Sequence, residues 1–325
     1  MKRVLVTGVG AVIGYGILRS LRSSGIDLFL LGTDINSDAA GQYWSDEFAV
    51  APKTNDPSYM RWLCEQLEVH KIDLIIPGIE QDVDFLSQNE LSEMGYAGTI
   101  ALNDKKLIEL ARDKWIFDTK LVSLKYRGRI ESQIIGNYEF LGRELGFPFL
   151  LKPRIGYASK GIVLVDSSEV FNRFSMKLGF ELFAQRYIGS EENEYSVSAF
   201  GDGSGKVHAI SALNRKLAPD GSTQKAINCP ISEFVDEIEQ LSEWFRPLGP
   251  TNFQFRKDDY GALYLLEINP RISSSTSIRN TFGFNESLFS IDFYLDGKLP
   301  SQPGFKNGMV SRYLEEVVFF DRNHF

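Results

Sequence analysis

Histidine and cysteine are scarce in this chain, at three and two of 325 residues. Cys64 and Cys229 lack the close spacing of a metal site, and so few thiols fit a reducing, cytosolic compartment. His70, His208 and His324 offer little material for a His-based triad or a zinc cluster. Long apolar runs are missing too: no stretch approaches the roughly 20 residues that span a bilayer, and no basic-then-apolar leader precedes the first strand. Nor is there a basic excess. Lys and Arg number 35 against 43 Asp and Glu, a net charge of −8 that argues against a phosphate-backbone partner. The expectation is a cytoplasmic protein with neither membrane nor nucleic acid as partner, and with 43% hydrophobic residues to build two or three lobes.

What is present begins with LVTGVGAVIGYGILRSL, from Leu5 to Leu21. A short apolar strand runs into Gly8-x-Gly10-x-x-x-Gly14, and an amphipathic run follows. Such a turn aims helix amides at a phosphate, and Asp34 ends the next strand, where a ribose-binding acid stands in dinucleotide folds. The third glycine, however, is one place late for G-x-G-x-x-G. Two readings stay open: a nicotinamide dinucleotide site, or glycines that only let the turn close.

The first hundred or so residues alternate strand and helix in the manner of a parallel sheet with covering helices. Strands are predicted at Lys2–Val6, Leu28–Gly32, Phe48–Ala51, Asp73–Pro77 and Gly98–Ala101, and helices at Gly14–Ser23 and Tyr59–Val69. A helical pair from Asp104 leads into a different texture. The strand Phe147–Lys152, a glycine- and serine-bearing loop Ile155–Gly161 and the strand Ile162–Val165 read as an antiparallel hairpin. A helix over Ser168–Lys177, a strand over Leu182–Ile188 and a long antiparallel tract follow, at Tyr195–Phe200, Lys206–Leu213, Thr251–Arg256 and Ala262–Ile268.

Chemistry concentrates in the last of these strands, Tyr264-Leu-Leu-Glu-Ile-Asn-Pro-Arg. With a side-chain period of two, Glu267 and Asn269 share a face and offer hard oxygens suited to Mg²⁺. Gln254, on the partner strand, could add another oxygen, and Arg271 extends past Pro270 as a fixed cation for phosphate. In the hairpin loop, Gly156, Ser159 and Gly161 would bring backbone amides close to a polyphosphate, with Lys152 balancing its charge. Each piece also has a bland reading, as an edge strand or a surface turn.

Together, LLKPRIGYASKGI, AQRYIGSEENEYSV, TNFQF and LLEINPRISSST resemble the ATP-grasp superfamily, nearest the carbamoyl-phosphate-synthetase large-subunit type and its single-copy relatives. The resemblance runs to about residue 300. It implies a mixed α/β and α+β fold: a Rossmann-like N-terminal parallel-sheet lobe (1–112), then a two-lobed ATP-grasp fold with antiparallel sheets, its glycine-loop lobe at 113–185 and its metal and nucleotide lobe at 186–325. By the same resemblance Lys114 and Lys152 contact the nucleotide phosphates. Backbone groups in Gln185-Arg186-Tyr187-Ile188 read the adenine edge, and Glu194 binds the ribose. Gln254, Glu267 and Asn269 hold Mg²⁺ (or Mn²⁺), and Arg271 steadies the transferred phosphoryl. Arg215 with Lys216, and more weakly Arg279, are candidates for the substrate carboxylate; Glu80 is one for an amine.

There are departures from the pattern. The chain has one ATP-grasp unit and no glutaminase signature, Ser274 replaces a second arginine, and Gln185 replaces a frequent acid. These disfavour carbamoyl phosphate formation. The resemblance therefore implies an ATP-dependent ligase that activates a small carboxylate as an acyl phosphate and passes it to an amine. In this family the first lobe helps bind the acceptor and holds no NAD, and homodimers are frequent. The competing readings are an NAD-dependent oxidoreductase built on the N-terminal turn and a non-catalytic ATP-binding regulator.

Overall fold

Three sheets organise the chain, and the computed structural model describes residues 1–156, 160–219 and 221–319 of it. The first sheet grows from the alternation of apolar runs and amphipathic helices: β1 (Lys2–Thr7), α1 (Val12–Arg22), β2 (Leu28–Asp34), β3 (Glu47–Val50), α2 (Tyr59–Val69), β4 (Leu74–Ile76), α3 (Glu80–Gln88) and β5 (Thr99–Ile100). Its strands are parallel, in the order β3-β2-β1-β4-β5. Every residue of β2 is buried, as expected of a strand covered on both faces. The direction of winding reverses between β1 and β4, so a crevice opens at their carboxyl ends.

Two capped helices follow, α4 (Lys105–Arg112) and α5 (Lys114–Ser123). Asp104 and Asp113 each accept from two amides of the next turn, which divides the helical tract at Asp113. The second sheet and its helices are β6 (Ser132–Gln133), α6 (Tyr138–Leu145), β7 (Phe149–Pro153), β8 (Val163–Val165), α7 (Ser168–Phe174) and β9 (Leu182–Arg186). The sheet is antiparallel, β6-β9-β7-β8, around its own core of Leu141, Phe149, Leu151, Phe171 and Ala184.

The third sheet is made by β10 (Glu194–Asp202), β11 (Val207–Leu217), β12 (Thr223–Cys229), β13 (Leu248–Lys257), β14 (Leu263–Asn269) and β15 (Met309–Ser311), with helices α8 (Val235–Phe245), α9 (Thr276–Thr281) and α10 (Glu286–Asp296). It is antiparallel throughout, in the order β14-β13-β10-β11-β12-β15. Strand alternation divides its residues cleanly. Val197, Ala199, Phe253 and Phe255 join one core with Leu107 of α4, Phe117 and Leu121 of α5, and Ile238 and Leu241 of α8. Each fully buried Phe is worth roughly 2–3 kcal/mol in apolar transfer. Ser196, Ser198, Asn252 and Gln254, one residue out of phase, face the other way.

Helix α5, which the sequence places in the 113–185 lobe, thus packs its apolar side against the third sheet. Elements β12 and α8 lie where the sequence pattern assigns none. The α8 helix follows Phe234 as its N-cap, with no side-chain cap to announce it.

Candidate functional site

The site is built where the second and third sheets face each other. Across β13 and β14, Gln254 stands opposite Glu267 and Asn252 opposite Asn269. The Asn269 amide donates to Glu267 Oε1 at 3.0 Å, leaving its own oxygen on the side of Arg271, whose Nη2 lies 3.4 Å away. Gln254 shares the face but its Oε1 accepts from Arg215 Nη2 at 2.8 Å.

Arg215 also donates to Glu194 Oε1 at 2.7 Å, and Arg256 donates to Glu194 Oε2 at 2.7 Å. Both oxygens of Glu194, which is only 4% exposed, are thereby held by guanidinium groups. Lys216, next to Arg215, is exposed on the opposite face of β11, so the two do not act as a pair.

Lys152 enters from β7 and is 7% exposed. Its Nζ donates to Gln185 Oε1 at 3.0 Å, and Gln185 Nε2 donates to Ser132 Oγ at 3.1 Å. Burial pushes the Lys152 ammonium down to about 8; Glu267 and Glu194 oppose that, while Lys114 and Arg256 reinforce it. Burial alone would raise Glu267. Lys114, the Asn269 hydrogen bond, Lys152 and Arg215 outweigh it and hold the carboxyl below its usual range. The Lys114 ammonium donates to the carbonyl of Gly156 at 2.8 Å. Lys114, Lys152, Gln185 and Glu267 line one narrow cleft between the two sheets.

Among the described residues no three His, Cys, Asp or Glu side chains gather as a metal cage. One carboxylate with neighbouring amide oxygens is nevertheless a donor set that suits Mg²⁺ carried on a polyphosphate, since that ion keeps phosphate and water as its other ligands. Glu267 and Asn269 fit this role. Gln254 fits it in position, although its oxygen is turned to Arg215.

The strand-end segment places Arg186 and Tyr187 at the surface and buries Ile188. Arg186 N donates to Glu131 O at 2.9 Å, and the Ile188 carbonyl faces Arg256 Nη1 at 3.5 Å. In the glycine loop Gly156 and Gly161 flank Ser159, which lies outside the described residues. Arg271 pairs with Glu80 of the first lobe and donates to Ile272 O at 3.0 Å. Arg279, the weaker candidate for the substrate carboxylate, lies in the protein interior. It is fully buried and donates to Ser273, Ser196 and Asn252 oxygens, with Glu286 at 3.4 Å.

Sequence reasoning missed Arg256, Asn252 and Ser132. The first two were within reach, because period two from Gln254 puts residues 252 and 256 on the same face. Nothing local marks Ser132.

The N-terminal turn settles differently from a dinucleotide site. Gly8 adopts φ +60°, and a Cβ on Gly14 would lie 2.3 Å from the Gly8 carbonyl oxygen, so the glycines are needed for β1 to meet α1. Asp34 is consumed within this turn: Oδ2 accepts from Gly10 N at 2.7 Å and Oδ1 from Asn36 N at 2.9 Å. The ribose acid of the nicotinamide reading is therefore a structural clasp.

Residues 182–317 match a family model described as "ATP-grasp in the biosynthetic pathway with Ter operon", and residues 5–101 one described as "PylC-like, N-terminal domain". No curated protein matches the sequence. Among solved structures, N5-carboxyaminoimidazole synthetase from Staphylococcus aureus, complexed with ADP, is 20% identical with a TM-score of 0.72, over 94% of this chain and 80% of its own. The biotin carboxylase domain dimer of the Hydrogenobacter thermophilus 2-oxoglutarate carboxylase, with MgADP and bicarbonate, is 20% identical with a TM-score of 0.71, over 95% and 73%. An L-amino acid ligase from Bacillus licheniformis is 15% identical with a TM-score of 0.67, over 91% and 74%. At such identities the likeness establishes the fold, a parallel-sheet lobe followed by two antiparallel ones. No helix among the described residues is long and apolar enough to cross a membrane.

Proposed function

We propose that this chain, an ATP-grasp protein, is an ATP-dependent carboxylate–amine ligase that releases ADP and phosphate. The observation that carries the reading is Lys152 on one sheet facing Glu267 on another across the cleft, with Lys114 beside both. Two cations and an oxygen-donor pair converge there, and no His, Cys or Ser triad is needed.

In this reading Lys114 and Lys152 bind the nucleotide phosphates, together with backbone amides of the loop that carries Gly156, Ser159 and Gly161. Backbone groups over Gln185–Ile188 meet the base. Glu267 and Asn269, with Gln254 beside them, hold Mg²⁺, and the same oxygens would accept Mn²⁺. When bound, the ion would supply positive charge that offsets the charge of the phosphates. A substrate carboxylate oxygen attacks the γ-phosphorus in line and ADP leaves. Arg271 and Lys152 stabilise the charge that develops on the phosphoryl oxygens. The amine nitrogen then attacks the acyl carbon of the acyl phosphate, phosphate departs and the nitrogen loses a proton. Glu194 is the acid we assign to the ribose, and Arg215, which donates to both Glu194 and Gln254, sets their positions. We place the enzyme in the cytoplasm, on its low cysteine content. We expect a homodimer, by analogy with the dimeric carboxylase domain.

The test is a coupled ADP-release screen of carboxylates against amines with Mg·ATP, run beside thermal shifts with Mg·ATP and with NAD(H). ADP release that requires both an acid and an amine supports the ligase. Stabilisation by Mg·ATP with no turnover across the screen would make the protein a regulator, and stabilisation by NAD(H) alone would overturn the reading.

A further inference from the structure

Glu80 and Arg271 meet across the boundary between the first and third sheets. Glu80 opens α3 at the carboxyl end of β4, beside the crevice where the winding reverses. Arg271 follows two residues after Asn269, and its Nη2 reaches the Asn269 oxygen. The guanidinium thus stands next to the oxygens assigned to the metal, where a substrate carboxylate must present itself to the γ-phosphate. In the free protein each of its three nitrogens already makes one contact: Nε with Glu80, Nη1 with Ile272 O and Nη2 with Asn269 Oδ1, which leaves one N–H on each terminal nitrogen. The pair is not sealed, with side chains 16% and 20% exposed.

A guanidinium fork matches any carboxylate, whether it belongs to the protein or to a substrate. An incoming acid therefore competes with Glu80 for Arg271. Once displaced, Glu80 stays at the amide end of α3, which favours negative charge in the first turn. A released carboxylate at the edge of the crevice needs a cation, and an ammonium group is the cation this reaction brings.

We propose that Glu80 holds the place of the carboxylate substrate on Arg271 and, when displaced by it, becomes the receptor for the amine. Carboxylate binding then precedes amine binding, so an amine arriving alone finds its receptor occupied. This inference rests on the ligase reading above.

Acetate and methylammonium serve as probes, with Mg·ADP present. Modification of Arg271 by phenylglyoxal, mapped by mass spectrometry, reports whether the guanidinium is covered. In Glu80→Gln the acetate concentration giving half-protection should fall about fivefold, the worth of a partly exposed ion pair. Methylammonium should lower the half-protection concentration in the wild type and leave it unchanged in Glu80→Gln. Glu80→Asp, which keeps the charge on a shorter arm, should retain the methylammonium effect and stands in if the amide variant does not fold. Equal acetate protection in wild type and Glu80→Gln, or a methylammonium effect that survives in Glu80→Gln, overturns the exchange while leaving the ligase standing. Failure of Mg·ADP to raise the Tm of the wild type overturns the ligase reading and this inference with it.

Discussion

Lys152 gives the site a proton-linked signature. Its ammonium titrates at about 8 in the free protein, against 10.5 for an ordinary lysine. Nucleotide phosphates placed beside it would favour the charged form and raise that value. Binding is then coupled to proton uptake, and the apparent Kd rises by the factor 1 + 10^(pH − 8). That factor is close to one at pH 7 and about eleven at pH 9, a loss of about tenfold or ~1.4 kcal/mol. At pH 8 about half a proton should be taken up per Mg·ADP bound. Without ligand the sign is opposite. The unfolded chain holds this proton more tightly, so between about 8 and 10.5 the group makes the free protein more stable as pH rises. Isothermal titration calorimetry from pH 7 to 9, in two buffers of different ionisation enthalpy, measures both quantities. Lys152→Met should bind more weakly and lose the pH dependence. A wild-type affinity flat from pH 7 to 9, with no proton uptake, refutes the reasoning.

Other expectations follow from neighbouring contacts. In Gln185→Leu the charged Lys152 loses its 3.0 Å acceptor, so the midpoint of the same titration should move below 8. Glu267→Gln should cut acid- and amine-dependent ADP release by at least about 10²-fold with the circular dichroism spectrum unchanged; retained turnover would remove Glu267 from the site. Arg279→Leu leaves Glu286 buried without its cation and should cost about 3–5 kcal/mol in urea unfolding; a loss below about 1 kcal/mol would show that the network carries little. NAD(H) should give no thermal shift, and Asp34→Ala should destabilise by about 0.5–1.5 kcal/mol because the Gly10 and Asn36 amides lose their acceptor.

The sequence made the elements legible wherever periodicity and punctuation agreed. Helix Tyr59–Val69 has the predicted bounds because the Asp56-Pro57-Ser58 turn starts it. Helix α8 has a comparable apolar stripe but no polar cap, and a stripe without a start signal is easily passed over. The facing of Glu267, Asn269 and Gln254 followed from strand period alone. What the chain could not announce was which charges neutralise which. Glu194 and Arg256 are remote in sequence, as are Glu80 and Arg271, and their meetings depend on strand order and lobe docking. Arg279 looks like any helix cation until Ser196 and Asn252 are seen to surround it.

The apolar cluster of the first sheet is not its own property. Ile272 and Ile291, from beyond β14, sit among Val6, Ile17, Leu18 and Leu21, and a Cβ on Gly16 would touch Thr276. The second sheet, by contrast, keeps a private core. Heating or denaturant should accordingly melt the N-terminal lobe together with the C-terminal helices, while hydrogen exchange finds the middle lobe opening on its own. Any chimera that grafts a relative's N-terminal lobe onto this scaffold must import the matching α9–α10 segment with it, or expose a hydrophobic wound at the seam.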